Sequence, residues 1–491
     1  MIADTQIPEL KSEVDIVSVP MTSATLFNQI QATGTAEVIV VLKTPAASSS
    51  GRTAGRALSA ADLEKYFVPS ERSQILASLT KASLSMRTSA RFRANTSAEP
   101  LMRQFPALGV VLGTVNAQGL LGLQKDPQIA SVTAAPTFSL VRPVRPAATV
   151  RLKDLGSGAR LLGAPQLWKA GFRGKDVVIA HLDTGVDASH PVLKGAISGF
   201  AEFDLNGNEV RGAHPHDTEE HGTHTAAIIV GRTYRGAFVG VAPEAKLVSA
   251  LVIEGGKILA RVLNGLNWAV NQGAKVLSMS LGIPGYRPEF LPIVQILRAR
   301  GVLPVIAVGN DGPGMSRSPG NYAEALSVGA CDNNKEIADF SSSETFIRQN
   351  DPLVPDLVGP GVDIVSAVPN GHFMRMSGTS MATPHIAGLA ALLMQAAPGA
   401  TIDQIETSIF QSCSLAPGLP ASRANRGLPD AVRAYEILTG RSLSIPASAP
   451  AALKRRTTTT RRKTVATKGP KGSSQKGSQK RASRKPVKRS R

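Results

Sequence analysis

Cysteine is nearly absent. Cys331 and Cys413 are the only two in 491 residues, so one disulfide is the most they can form. A disulfide framework and a four-cysteine metal site are both excluded. Aromatic residues make up only 4% of the chain, so its cores must be built from aliphatic side chains. No apolar run reaches the roughly 18–20 residues that span a bilayer, and no transmembrane segment is expected. The first residues, Met1-Ile-Ala-Asp-Thr-Gln-Ile-Pro-Glu-Leu-Lys11, carry charges and a proline where a secretory signal needs an unbroken apolar stretch. The expectation is therefore a soluble, cytoplasmic protein, with secretion by an unrecognised route as the alternative. Oligomeric state is not legible.

Acidic residues are missing from one region. Residues 451–491 contain 16 Lys or Arg and no Asp or Glu, and so supply all but +3 of the net charge of +19. This segment lacks the apolar residues a core needs, so 441–491 is expected to be a disordered basic tail. Positive charge without interleaved aromatics suits sequence-independent contact with phosphates, which makes nucleic acid or another polyanion a candidate partner, the plain alternative being a solvated tail with no dedicated ligand. An anionic membrane surface fits almost as well.

What remains is long enough for two domains with sizeable cores. Residues 1–36 carry no clear pattern. Strand-like runs at Glu37–Lys43, Leu108–Val115 and Ile129–Thr133 alternate with helical patterns at 68–93 and Gln118–Leu123. Residues 37–140 therefore read as a small α+β domain. A Pro/Arg-rich segment, 141–158, reads as an exposed linker. Over 159–440 the texture is α/β: continuously apolar strands at Val177–Leu182, Leu247–Ile253, Lys275–Leu281 and Val302–Val308. Helical patterns begin at His221 and cover Ile258–Asn271 and Glu289–Arg300; two more, at Ile402–Cys413 and Asp430–Leu438, close the domain. Such strands indicate a mostly parallel sheet with helices on both faces, and its sites belong where strands end.

Three segments stand at ends of these elements. Val177-Val-Ile-Ala-His-Leu-Asp183-Thr-Gly ends a buried strand on an acid. Glu220-His221-Gly-Thr-His224 starts a helix on a histidine. Gly378-Thr379-Ser380-Met-Ala-Thr-Pro384-His385 opens an Ala/Leu-rich helix with a hydroxyl at its positive end. Pro384 is tolerable only in or near a first turn. Alone, Ser380 reads equally well as a helix cap or a nucleophile. An acid, a histidine and a serine at element ends satisfy what acyl transfer requires: a hydroxyl, a base in reach and an acid that orients the base.

On these motifs the chain resembles the subtilisin-like serine peptidases, the subtilases. Val239-Gly-Val-Ala-Pro243, Ser280-Leu281-Gly282, Ala307-Val-Gly-Asn310 and Pro355-Asp-Leu-Val-Gly-Pro-Gly361 are similar to further segments of that family, in the same order, over about 160–440. The resemblance implies a serine endopeptidase with Ser380 as nucleophile, His221 as general base and Asp183 as the orienting acid. Asn310 would donate to the oxyanion, and Ser280, Leu281 and Gly282 would pair with an extended protein or peptide substrate. Residues 37–140 resemble the family's inhibitory propeptide, which implies a cut within 138–155; a permanently attached accessory domain is the alternative. No cofactor is implied as required; calcium is common in the family, but no acidic loop here specifies a site, and no metal-binding residue is expected. The family more often has an aliphatic residue at the position of His181. The rival reading is a catalytically silent scaffold of this fold whose basic tail binds nucleic acid or another polyanion. Asp187 and Asp176 are read as turn or strand-start residues, and His181 and His385 as hydrogen-bonded core histidines. His224, three residues after His221, lacks a third ligand at zinc-like spacing.

Overall fold

The computed structural model describes residues 24–43, 59–70, 100–144, 150–253, 255–348 and 351–444. The basic tail and most of the 68–93 helical pattern lie outside the described residues.

The first domain is a four-stranded antiparallel sheet of β1 (Ala36–Leu42), β2 (Met102–Phe105), β3 (Val110–Val115) and β4 (Ile129–Ala134), in the order β2-β3-β1-β4. The unbroken apolar run of β1 follows from burial on both faces. Val38 and Val40 pack with Leu26, Leu63, Leu120 and Leu123 inside the domain. Ile39 and Val41 point the other way, into a cluster shared with Leu263, Leu266 and Phe290 of the larger domain. A helix at Ala24–Thr33 supplies Leu26 and Ile30 to this core, in a stretch where the sequence carried no clear pattern. Asn116 caps the Ala117–Lys125 helix by accepting from the Gly119 N–H.

The connector departs from expectation. Val141, inside the segment read as an exposed linker, is buried, and just before it Ser139–Leu140 (β5) is a strand with Phe138 and Leu140 buried. The segment engages the larger domain through backbone hydrogen bonds, which Arg and Pro side chains do not advertise.

The larger domain is α/β, as its pattern indicates. Its central strands are β6 (Val178–Asp183), β7 (Ile197–Glu202), β8 (Lys246–Leu251), β9 (Val276–Met279), β11 (Leu303–Ala307), β13 (Leu326–Cys331) and β16 (Leu357–Pro360), in the order β16-β13-β11-β9-β6-β8-β7. Every pairing is parallel. Two apolar clusters cover the two faces, one centred on the Thr379–Ala396 helix and one on the Ile258–Asn271 and Leu291–Ala299 helices. The run 275–281 breaks after Met279, because the chain then leaves the main sheet for β10 (Leu281–Pro284). β10 lies between β5 and the short β12 (Arg317–Ser318) in a separate small sheet. Two hairpin-like pairs, β14 (Glu344–Thr345) with β15 (Leu353–Val354) and β17 (Ile364–Val368) with β18 (His372–Met376), complete the strands.

Pro384 is the sixth residue of its helix, just past the first turn. It removes only the bond its N–H would make to the Ser380 carbonyl. Cys331 and Cys413 are both free, so the one available disulfide is not formed. Burial pushes both thiols up to about 12.

Candidate active site

Asp183 is the last residue of β6, where a parallel sheet presents its loops. It is 1% exposed. Its Oδ1 accepts from the Thr184 N–H and from His221 Nδ1, each at 2.7 Å. Its Oδ2 accepts from Thr225 Oγ1 at 3.2 Å. Burial pushes this carboxyl up, but the His221 and His181 rings together outweigh that and hold it below the usual carboxylate range.

The turn after Asp183 fits because two residues have no side chain. Gly185 lies at φ +117°, and a Cβ there would meet the His216 carbonyl at 2.1 Å. A Cβ on Gly222 would meet the Gly185 carbonyl oxygen at 2.0 Å. A larger residue at Gly222 would push the turn after the strand and the His221 helix apart, and one at Gly185 would push away the loop at His216. Asp217 then ties the two together. It accepts from Thr184 Oγ1 (2.7 Å) and from the N–H and hydroxyl of Thr223 (2.6 Å each), at the N-terminal end of the helix. The sequence reading missed Asp217 and Thr184; an acid four residues ahead of a helix-opening histidine is the only local sign.

His221 opens the His221–Val230 helix, which is buried along its whole length. Nδ1–H is committed to Asp183, which fixes the ring, and Nε2 has no hydrogen-bond partner among the described residues. That nitrogen is the one a general base would use.

Ser380 is the second residue of its helix, and its hydroxyl does not cap it. Instead Oγ donates to the Val141 carbonyl of the connector at 2.6 Å. Ser380 is therefore not a side-chain cap of this helix. Asn310 follows β11, and Thr379 orients it: Oδ1 accepts from the Thr379 N–H and hydroxyl, both at 2.9 Å. Nδ2 is thereby turned outward, and donates to the Arg142 carbonyl at 2.9 Å.

The edge formed by Ser280-Leu281-Gly282 is occupied by the chain itself. Leu281 pairs with Leu140 and Gly282 with Ser139, antiparallel, and the Val141 N–H donates to the Ser280 carbonyl at 2.9 Å. Beyond the site, Val144 and Ser377 exchange N–H to carbonyl bonds of 2.7 and 2.9 Å. Arg142 extends over the cleft to Glu219, with contacts of 3.1 and 3.2 Å.

The rival residues have other work. Asp187 accepts from the Ser189 hydroxyl and the Asn370 N–H, as a turn residue does. Asp176 lies at φ 64° before β6 and pairs with Lys246 on the surface. His224 turns Nε2 to the carbonyls of Ile364 and Met374, 3.2 Å each, and burial lowers it to about 3. His385 donates to the Met381 carbonyl at 2.8 Å, and burial lowers it to about 4. His181 bonds through both ring nitrogens. Among the described residues no group of three or more His, Cys, Asp or Glu side chains is placed to hold a metal ion. None of their helices is long and apolar enough to cross a membrane.

Comparison with known proteins agrees with this geometry. Residues 174–435 match the profile of the Subtilase family. The chain is 38% identical over 252 residues to the major intracellular serine protease of Bacillus subtilis, covering 49% of this chain and 76% of that protein. It is also 38% identical over 257 residues to an intracellular serine protease of Paenibacillus polymyxa, covering 50% and 75% of the two chains. With subtilisin E of Bacillus subtilis it shares 30% identity over 313 residues, 62% of this chain and 75% of the other. The chain therefore belongs to the subtilase family and is a subtilisin-like serine protease, a hydrolase of proteins or peptides.

Proposed function

We propose that Asp183, His221 and Ser380 form the catalytic triad of a serine endopeptidase, and that its own connector blocks it. Ser380 Oγ attacks the scissile carbonyl, His221 Nε2 takes the hydroxyl proton and returns it to the leaving amine, and water then releases the acyl group from Ser380. Asp183 holds the ring by Nδ1 and stabilises the imidazolium. The Asn310 amide and the Ser380 N–H receive the oxyanion. The best-studied member of this family loses about 10²–10³ in turnover without that amide.

The observation that carries this reading is the placement of two successive connector carbonyls. Val141 C=O receives the nucleophile's proton, and Arg142 C=O receives the oxyanion amide. Productive attack needs the nucleophile and the oxyanion donor on one carbonyl. Here they are one residue apart, so the strand lies like a substrate without being aligned for cleavage. This supports an inhibitory role for the first domain, whose sheet docks on the same unit, and self-processing within 138–155 after the strand shifts.

Processing is tested on a gel. Wild type is expected to give a smaller band and Ser380→Ala full-length chain only; unprocessed wild type with peptidase activity would overturn the maturation step. The relatives named intracellular support a cytoplasmic location, to be checked by fractionation. Neither a cofactor nor calcium enters the proposed chemistry.

A further inference from the structure

Behind the candidate acid lies a buried polar chain that the reaction as described does not use. His181 is on β6, two residues before Asp183 and 1% exposed, where the family resemblance implies an aliphatic side chain. Its Nδ1 lies 3.0 Å from Ser249 Oγ on β8, and its Nε2 lies 2.9 Å from Thr225 Oγ1 on the His221 helix. Thr225 Oγ1 is 3.2 Å from Asp183 Oδ2, and His181 Nε2 is itself 3.6 Å from that oxygen. Ser249 is fully buried, and Thr225 nearly so.

Electrostatics chooses the tautomer. A lone pair on Nε2 would face a carboxylate oxygen at 3.6 Å, whereas an N–H there points its positive end at the anion. With Nε2 protonated, Nδ1 must accept, and Ser249 donates to it. Thr225 Oγ1 then accepts from His181 and has its single proton left to donate. Besides Asp183, that proton has two competing acceptors, the carbonyls of His221 (3.0 Å) and Gly222 (3.1 Å). These are the back-bonds a helical threonine ordinarily makes. The charged oxygen is the stronger acceptor, and occupation of the Thr225 lone pair by His181 favours it further.

We propose that His181 is a positioning residue for the catalytic acid, acting through Thr225 to hold Asp183 Oδ2 while His221 holds Oδ1. This rests on the reading of Asp183 as that acid. A carboxylate with donors on both oxygens cannot rotate away from the His221 ring. The donors on Oδ2 also draw off part of the negative charge that Oδ1 presents to His221. The titratable group that faces His181 is Asp183 on its own strand, and Asp183 in turn interacts with His221 and Asp217.

The test uses the full-length chain carrying Ser380→Ala, labelled with ¹⁵N-histidine, and follows the His221 ring by NMR as a function of pH. Losing the donors on Oδ2 leaves more charge facing His221, so His181→Leu should raise the His221 pKa by about half a unit to one unit. Thr225→Val should do the same, the double variant should add nothing further, and His181→Gln, which keeps an N–H donor, should restore the starting value. In processed wild-type enzyme, His181→Leu should lower kcat about tenfold with KM unchanged, far short of the roughly 10⁴ lost when the acid itself is replaced. If His181→Leu does not fold, Thr225→Val carries the test. An unchanged His221 titration in the variants that fold, or effects that add in the double variant, would overturn the proposal. The NMR readout needs no turnover, so a failure of the peptidase reading would be seen separately, in the wild type.

Discussion

The hydroxyl of Ser380 donates to the carbonyl of Val141 at 2.6 Å, across 239 positions of sequence. A serine that reads as either a helix cap or a nucleophile thus spends its proton on a peptide carbonyl lying along the Ser280-Leu281-Gly282 edge. The next carbonyl, that of Arg142, is held by Asn310. In the proposed mechanism one residue too many separates the two grips.

Removing the surplus residue should therefore help cleavage. Deleting Arg142 would bring one carbonyl to both groups, and Pro143→Ala would remove the ring from the leaving nitrogen. The double change should shorten the half-time of self-processing, followed on gels after dilution into reaction buffer. Slower or unchanged processing would contradict the one-residue misalignment.

Asn310→Ala should lower turnover of a small peptide substrate by about 10²–10³ with KM little changed. Asn310 also receives the Thr379 N–H, so thermal unfolding must be compared alongside. A loss below tenfold would remove Asn310 from the oxyanion role.

Stability should depend on pH in a defined way. Burial raises Asp356 to about 8 and lowers His224 to about 3 and His385 to about 4. A buried acid with a raised pKa keeps its proton when folded and loses it when unfolded. Its contribution is complete below the unfolded value near 4 and is lost as pH rises toward 8. The two histidines act oppositely: the unfolded chain gains protons that the native state refuses, so stability falls as pH drops from about 6.5 toward 3. These three groups place the maximum near pH 6.5. Denaturant unfolding of Ser380→Ala across pH should show it, and Asp356→Asn should flatten the fall on the alkaline side. A fall that persists in that variant would assign it to another group.

The tail gives a separate prediction from composition alone. Deleting residues 451–491 should abolish low-salt retention on immobilised DNA, and salt should release the intact chain. Unchanged retention after the deletion would end the nucleic-acid reading.

Much of the site was legible because its parts are short contiguous motifs at element ends. Asp183, His221, Asn310 and Ser380 each sit where a strand stops or a helix starts, and the apolar patterns around them mark those points. Ile258–Asn271 was readable to the residue because its amphipathic pattern is long. The connector was not. Its docking uses backbone N–H and C=O groups, so Val-Arg-Pro-Val looks like a linker although it lies in the cleft. Asp217 and Thr225 were missed for a related reason: their roles depend on partners 33 to 42 positions away, which no local pattern contains.

The central claim is that Ser380 is a nucleophile activated by His221. Wild-type protein, processed or given time to process, should be labelled covalently by a serine-directed phosphonate, and mass spectrometry should place the adduct on Ser380. Ser380→Ala should take up none. Absence of labelling in processed wild type, or equal labelling of Ser380→Ala, would contradict the account and leave the fold as a silent scaffold.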